Sequence, residues 1–110
     1  MSVVEQKTNE SASHVSAEDI ERASRSIKAM SHPLRLKILC VLGKDEFSVQ
    51  DIVDLVGTSQ SNISQHLGIL KDKGILVARK DANKVFYSVG DEKTLKLLNM
   101  MREVFCPQNI

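Results

Sequence analysis

The segment Thr58–Gly74, TSQSNISQHLGILKDKG, decides how the chain is to be read. Thr58 is suited to cap a helix, its side-chain oxygen bonding free amides of the first turn. Gly74 is a natural left-handed stop, and Lys71 and Lys73 in the last turn suit the helix dipole. Ile63, Leu67 and Leu70 fall at i, i+4 and i+7 and define one inward face. Gln60, Ser61, Ser64 and Gln65 lie opposite: short hydrogen-bonding side chains near the helix N-terminus, almost without charge. A merely solvated face more often carries Glu and Lys. Gln pairs with adenine and Ser with several bases, so this face suits close approach to base edges.

Working outward, the preceding residues supply a second short helix. Ser48-Val-Gln-Asp51 resembles a capping box, with Asp in place of the usual Glu, and the helix runs to about Val56 before Gly57 ends it. Two short helices around a tight Gly-containing turn, the second with a polar reading face, form a helix-turn-helix. After Gly74 the period changes. Ile75–Lys80 and Lys84–Val89 carry strand-favouring residues in partial alternation, with Asp81-Ala82-Asn83 as the turn and Asn83 as the residue that tolerates positive φ. Arg79, Lys80 and Lys84 surround the hairpin tip, so the hairpin reads as a wing gripping the DNA backbone or minor groove, the alternative being a solvated tip.

Upstream, Ser16 caps a helix running to about Met30, with Ile20, Ala23, Ile27 and Met30 at the spacing of a packing seam. Ser31-His32-Pro33 breaks it and opens the next, with Pro33 tolerated in a first turn and His32 at the junction as a cap. LRLKILCVL, residues 34–42, is apolar nearly all round and reads as a central strut. Asp91 caps a last helix to about Phe105, with Leu95, Leu98 and Phe105 on one stripe and Leu97, Met101 and Val104 on another. Two stripes on a terminal helix need a second surface, most simply a symmetry mate joined through the first and last helices. A two-fold dimer presents its reading helices about one DNA turn apart, as a palindromic operator requires.

The fold class expected is therefore mainly α with a small β-hairpin: four helices, the hairpin, then a fifth helix, as a winged helix-turn-helix homodimer. The domain spans residues 16–106, between a polar N-terminal tail (1–15) and a short C-terminal tail (107–110).

Composition narrows the function. The chain has 110 residues, 42% of them hydrophobic, and 15 Lys+Arg against 14 Asp+Glu, so it is no bulk polycation. Its charge is unevenly placed. In residues 1–23, Lys7 and Arg22 stand against Glu5, Glu10, Glu18, Asp19 and Glu21, a net of −3; in residues 59–89, five cations stand against Asp72 and Asp81, a net of +3. The positive field coincides with the DNA-reading elements. No apolar run approaches the roughly 18 residues of a spanning helix and no secretory signal is evident, so no membrane partner is expected and the chain reads as cytoplasmic. No P-loop, G-x-G-x-x-G or zinc-spaced His/Cys cluster is present, and no cofactor is expected. The two cysteines, Cys40 and Cys106, begin as thiols in that compartment. Standing 66 positions apart and outside any Cys-x-x-Cys, they make no thiol oxidoreductase, and an enzyme is not expected. Cys40, read alone, is first of all a small buried hydrophobe; Cys106, beside Pro107, is harder to explain by packing.

The stretches KAMSHPLRLKIL, SVQDIVDLVGTSQSNISQHLGILKDKGIL and VFYSV, within residues 27–89, resemble the ArsR/SmtB family of winged-helix repressors in order and spacing. Carried over by position, the resemblance puts DNA contacts at Gln60, Ser61, Ser64, Gln65 and His66, although His66 also lies beside Ile63 and Leu70 on the helical wheel. The sequence departs from metal-sensing members: Ser48 and Gln50 stand where arsenic- and cadmium-type members carry Cys-x-Cys, and the last helix has none of the His of zinc-type members. No metal site is expected. Cys40 in ILC and Cys106 in VFCPQ look like the sulfide- and persulfide-responsive branch, the BigR, SqrR and HlyU type. The resemblance implies a repressor that binds its operator when reduced and leaves it once reactive sulfur species, or another oxidant, bridge the two cysteines. A bridge carrying extra sulfur is longer than a disulfide, which needs Cα atoms within about 7 Å. Two alternatives keep the fold: a metal or metalloid input held by the thiols and a third donor, or an antirepressor output that activates by displacing a silencing protein.

Overall fold

The structure, a computed structural model, describes residues 14–106. The 107–110 tail and the 1–15 tail, apart from residues 14 and 15, lie outside the described residues. Among the described residues, five helices and a three-stranded antiparallel sheet follow in the order α1 (Ala17–Met30), α2 (Pro33–Leu42), β1 (Phe47–Ser48), α3 (Val49–Val56), α4 (Gln60–Asp72), β2 (Leu76–Asp81), β3 (Lys84–Val89) and α5 (Glu92–Phe105). This is the mainly helical winged helix-turn-helix expected, with one added strand.

Local chemistry explains most boundaries. Ser16 Oγ accepts the Asp19 amide at 3.0 Å to open α1, and Glu18 and Asp19 sit in the positive first turn. His32 caps α2 through Nδ1, which accepts the Leu34 amide at 3.1 Å, with Pro33 at the first helical position. Ser48 Oγ accepts the Asp51 amide at 3.2 Å to open α3, and Asp91 accepts the Lys93 amide at 3.0 Å to open α5. Gly57 (φ 86°) and Gly74 (φ 77°) take the left-handed turns that end α3 and follow α4.

Two local expectations are corrected. The cap of α4 is Ser59, whose Oγ accepts the Asn62 amide at 3.2 Å; Thr58 Oγ1 instead accepts from Asn62 Nδ2 at 3.2 Å. At the hairpin tip Asp81 pairs with Lys84, and positive φ (55°) falls on Ala82 instead of Asn83. The unexpected strand β1 pairs Phe47 with Tyr87 and Ser48 with Phe86, so the sheet order is β1-β3-β2 and β3 is central.

The core gathers around α2, which touches α1, α3, α4 and β3 as a strut should. Ile38, Leu39 and Leu42 from α2 meet Ile52 of α3, Ile63, Leu67 and Leu70 of α4, and Leu76 of β2, all fully buried. Each such side chain contributes about 1.5–3 kcal/mol by leaving water, so the reading helix is held by its apolar stripe along its whole length. The outer helices are only partly covered. On α1 only Ala29 and Met30 are buried, while Ile20 and Ile27 are 59% and 58% exposed. On α5 Leu98 is buried and Met101 packs on the core, whereas Phe105 is 74% exposed and Leu97, Met100 and Val104 also face outward. The inward face of α5 thus takes one residue from each expected stripe, because the real helical phase runs between them.

Candidate nucleic-acid interface and cysteine pair

The N-terminal turns of α4 present Gln60, Ser61, Ser64 and Gln65 as exposed side chains, on the side opposite the buried stripe. Gln60 and Ser64 open onto a cleft of about 270 Å³ whose other walls are Ser48, Val49 and Gln50 from β1 and α3, and Asn83, Lys84 and Val85 from the wing. The fold therefore brings α4 and the wing tip to one polar concavity, with Lys84 as its cation. The sequence does not assign Gln50 or Asn83 to the DNA-facing set. Asn83 was legible in principle, as neighbour of Lys84 at a hairpin tip; Gln50 was not, because only the tertiary fold sets the start of α3 against the wing. The Gln50 amide donates to Asp54 Oδ1 at 2.9 Å along its own helix.

Two residues grouped with the DNA-facing set are placed differently. His66, the fifth position on α4, is only 9% exposed and belongs to the buried stripe beside Ile63, Leu67 and Leu70. Its Nδ1 accepts from Arg35 Nε at 3.2 Å, and its ring lies 4.6 Å from that of His32. Burial, then the charges of His32 and Arg35, push its pKa below the ordinary 6.5. Arg79, expected around the wing tip, grips Glu46 instead: Nη2 and Nε donate to its two carboxylate oxygens at 2.8 and 3.0 Å. The guanidinium also lies 3.7 Å from Asp81 and 4.9 Å from the centre of the Phe86 ring. Its hydrogen bond holds the Glu46 carboxyl below the usual range. Lys80 and Lys84 are exposed near the tip, and among the described residues neither has an ion-pair partner.

The two cysteines, far apart in sequence, lie near enough in the fold for the charge of Cys106 to act on Cys40. Cys40 lies on α2 and Cys106 closes α5, its amide donating to the Arg102 carbonyl at 2.7 Å. Both are half-buried free thiols. Burial pushes the Cys40 thiol up from its ordinary 9.0, the charge of Arg102 pulls it down, and Cys106 pushes it up again. Arg102 and Cys106 are thus both close enough for their charges to be felt at the Cys40 sulfur. Among the described residues no three His, Cys, Asp or Glu side chains come together as a metal-holding group, and no helix is long and apolar enough to cross a membrane.

Comparison with known proteins gives the same architecture a lineage. Residues 32–77 match the family model described as bacterial regulatory protein, arsR family. The chain is 32% identical over 110 residues to the biofilm growth-associated repressor of Xylella fastidiosa (strain 9a5c), covering 96% of each. The structure of HlyU from Vibrio cholerae N16961 superimposes with a TM-score of 0.79 at 32% identity, covering 83% of this chain and 99% of that one. A homodimeric winged helix-turn-helix domain from Mycobacterium bovis, Mb0332, superimposes with a TM-score of 0.74 at 27% identity, covering 80% of this chain and 82% of that one. With its strut, reading helix and wing in the same order as these relatives, the chain belongs to the ArsR family of DNA-binding transcription regulators, which are not enzymes.

Proposed function

We propose that the protein is a cytoplasmic, homodimeric repressor that holds a palindromic operator while Cys40 and Cys106 are reduced and releases it when reactive sulfur species bridge them. What supports this reading is that Cys106 and Arg102, both from the last helix and its end, lie near enough to Cys40 on the central strut for their charges to act on its thiol. In the reduced state Gln60, Ser61, Ser64 and Gln65 read base edges, and Lys80 and Lys84 hold phosphates. The outward apolar residues of α1 and α5, among them Ile20, Ile27, Leu97, Met100, Val104 and Phe105, supply a face for a second copy.

The chemistry proceeds by sulfur exchange. A cysteine thiolate attacks the sulfane sulfur of a low-molecular-weight persulfide or polysulfide, forms a protein persulfide and expels the donor's remaining thiolate. When both cysteines carry added sulfur, the persulfide anion of one attacks the cysteine-bound sulfur of the other. Hydrosulfide leaves and a trisulfide remains. That bridge ties α2, which packs on α4, to α5 on the outer face. It changes how the two subunits present their reading helices, and a palindrome with half-sites about 34 Å apart no longer fits both.

Reduced protein is treated with polysulfide or with peroxide, analysed by intact and peptide mass spectrometry, and followed by fluorescence anisotropy on a duplex selected by the reduced protein from a random pool. A sulfur-containing Cys40–Cys106 crosslink that appears with DNA release supports the reading. Release that persists in the Cys40→Ser, Cys106→Ser double variant overturns it. Equilibrium dialysis with zinc, cadmium and arsenite covers the metal input, where stoichiometric binding coupled to release would replace sulfur as the signal.

A further inference from the structure

We infer that Arg35 is a positioning residue for the reading helix: anchored to α1, it grips His66 of α4 and holds that helix in its DNA-reading pose while the imidazole is neutral. The inference rests on α4 being the reading helix, as proposed above.

Three elements meet at this one guanidinium. Arg35 projects from α2; its Nη1 donates to the Ala29 carbonyl in the last turn of α1 at 3.1 Å, and its Nε donates to His66 Nδ1 on α4 at 3.2 Å. The other buried residues of α4, Ile63, Leu67 and Leu70, hold the helix by apolar contact alone, which fixes depth better than rotation. His66 adds one directional bond in that stripe, immediately after Ser64 and Gln65, and so fixes the rotation of the reading face about the helix axis.

The bond has a protonation requirement. Nδ1 accepts a hydrogen bond only when it carries no proton. Protonated, it becomes a donor facing a donor, and two cations lie in contact. Among the described residues no carboxylate is hydrogen-bonded or ion-paired to Arg35 or His66. The His32 ring lies tilted against His66 from the cap of α2, and Arg25 and Lys28 of α1, together with Lys73 after α4, line a cleft of about 350 Å³ with Arg35. No carboxylate lines that cleft, and Glu21 of α1 is taken up by an ion pair with Arg25 at 2.8 Å. The lowered pKa of His66 agrees with this cationic, half-dry setting. Acidification below the ordinary imidazole range therefore breaks the Arg35–His66 bond and loosens α4. Sequence-specific binding falls, whereas backbone attraction gains from every proton taken up. The opposite signs make the effect readable.

The experiment uses the reduced full-length protein and a duplex selected by it near pH 8. Anisotropy at constant ionic strength is measured for that duplex and for a scrambled one from about pH 8 to about pH 5.5. Affinity for the selected duplex is expected to fall roughly tenfold or more, the scale of one hydrogen bond to a charged group, while affinity for the scrambled duplex holds or rises. His66→Gln keeps an acceptor for Arg35 but does not titrate, so its acid-dependent fall disappears; Arg35→Met shows weakened discrimination at every pH. An NMR titration of the imidazoles of His14, His32 and His66 in the unaltered protein gives a check independent of any variant's folding. The midpoint of binding loss coincides with that of His66. A midpoint elsewhere, or an identical fall in His66→Gln, overturns the inference. Gln60→Ala is run alongside: if it leaves sequence preference intact, the assignment of α4 as reading helix fails, whereas relaxed preference combined with a flat pH profile in the unaltered protein defeats the Arg35–His66 coupling alone.

Discussion

Ala82 occupies the left-handed region at φ 55°, at the first central position of a two-residue hairpin turn. An L-residue there costs about 1–2 kcal/mol, of which glycine recovers the larger share after its own extra unfolded-state entropy of about 0.4–1 kcal/mol. Ala82→Gly is therefore expected to stabilise the protein by about 0.5–1 kcal/mol, seen as a rise of a few degrees in thermal melting. At Cys40 the expected behaviour is a pH dependence. The thiolate is the reactive form and burial raises the pKa above 9.0, so at neutral pH the thiol is almost wholly protonated. In a Cys106→Ser background its alkylation by iodoacetamide, followed by peptide mass spectrometry, is expected to quicken about tenfold per pH unit up to and beyond 9. Arg102→Ala slows it further, because the charge of Arg102 favours the thiolate. The histidines show how much of this detail the sequence carried. His32 was readable as a cap because Pro33 and the end of α1 fix its place locally. His66 was ambiguous on the helical wheel, since the group that decides its role, Arg35, stands 31 residues away and meets it only in the folded core.

Elements were legible wherever a short-range signal existed. Ser16, Ser48 and Asp91 each precede an apolar-periodic stretch and each caps a helix. At α4 two hydroxyls compete, and geometry selects the second: Ser59 reaches the Asn62 amide while Thr58 meets only its side chain. Ser59→Ala is expected to cost about 1 kcal/mol in urea denaturation, and Thr58→Ala clearly less; equal losses would restore Thr58 as the cap. The strand β1 left no readable trace, because two residues show no period and their partners, Tyr87 and Phe86, lie far along the chain. The pairing of Arg79 was not legible for a related reason. Arg79 counts as a free cation in any sequence window, yet Glu46, 33 positions earlier, neutralises it in the fold.

For the whole molecule, the apolar residues left on the outer faces of α1 and α5 bear on assembly. The sequence showed that these helices held more apolar surface than one core needs, but not which residues turned outward. A charge placed there faces water in a monomer and an apolar partner in a dimer. Ile27→Glu combined with Leu97→Glu is expected to leave the monomer folded, shift sedimentation to a single-chain species and weaken operator binding by orders of magnitude. Undiminished dimers would place the subunit interface elsewhere.

The short strand β1 also bears on how the chain folds. Its pairing with β3 encloses all of α3, α4 and β2 between the paired residues, and Ser48 both ends that strand and caps α3. Loop-closure entropy makes so long a segment unfavourable to close early, so the seam completes after the helices have shortened the gap. A seam formed late, with two residue pairs, is also the first to open when the native state fluctuates. Its opening frees the first turn of α3 and one side of the wing together. Amide exchange at the start of α3 then keeps pace with exchange on the β1-facing side of β3, and the end of the molecule that carries the start of α3 and the wing holds a reserve of motion that the strut at its centre lacks.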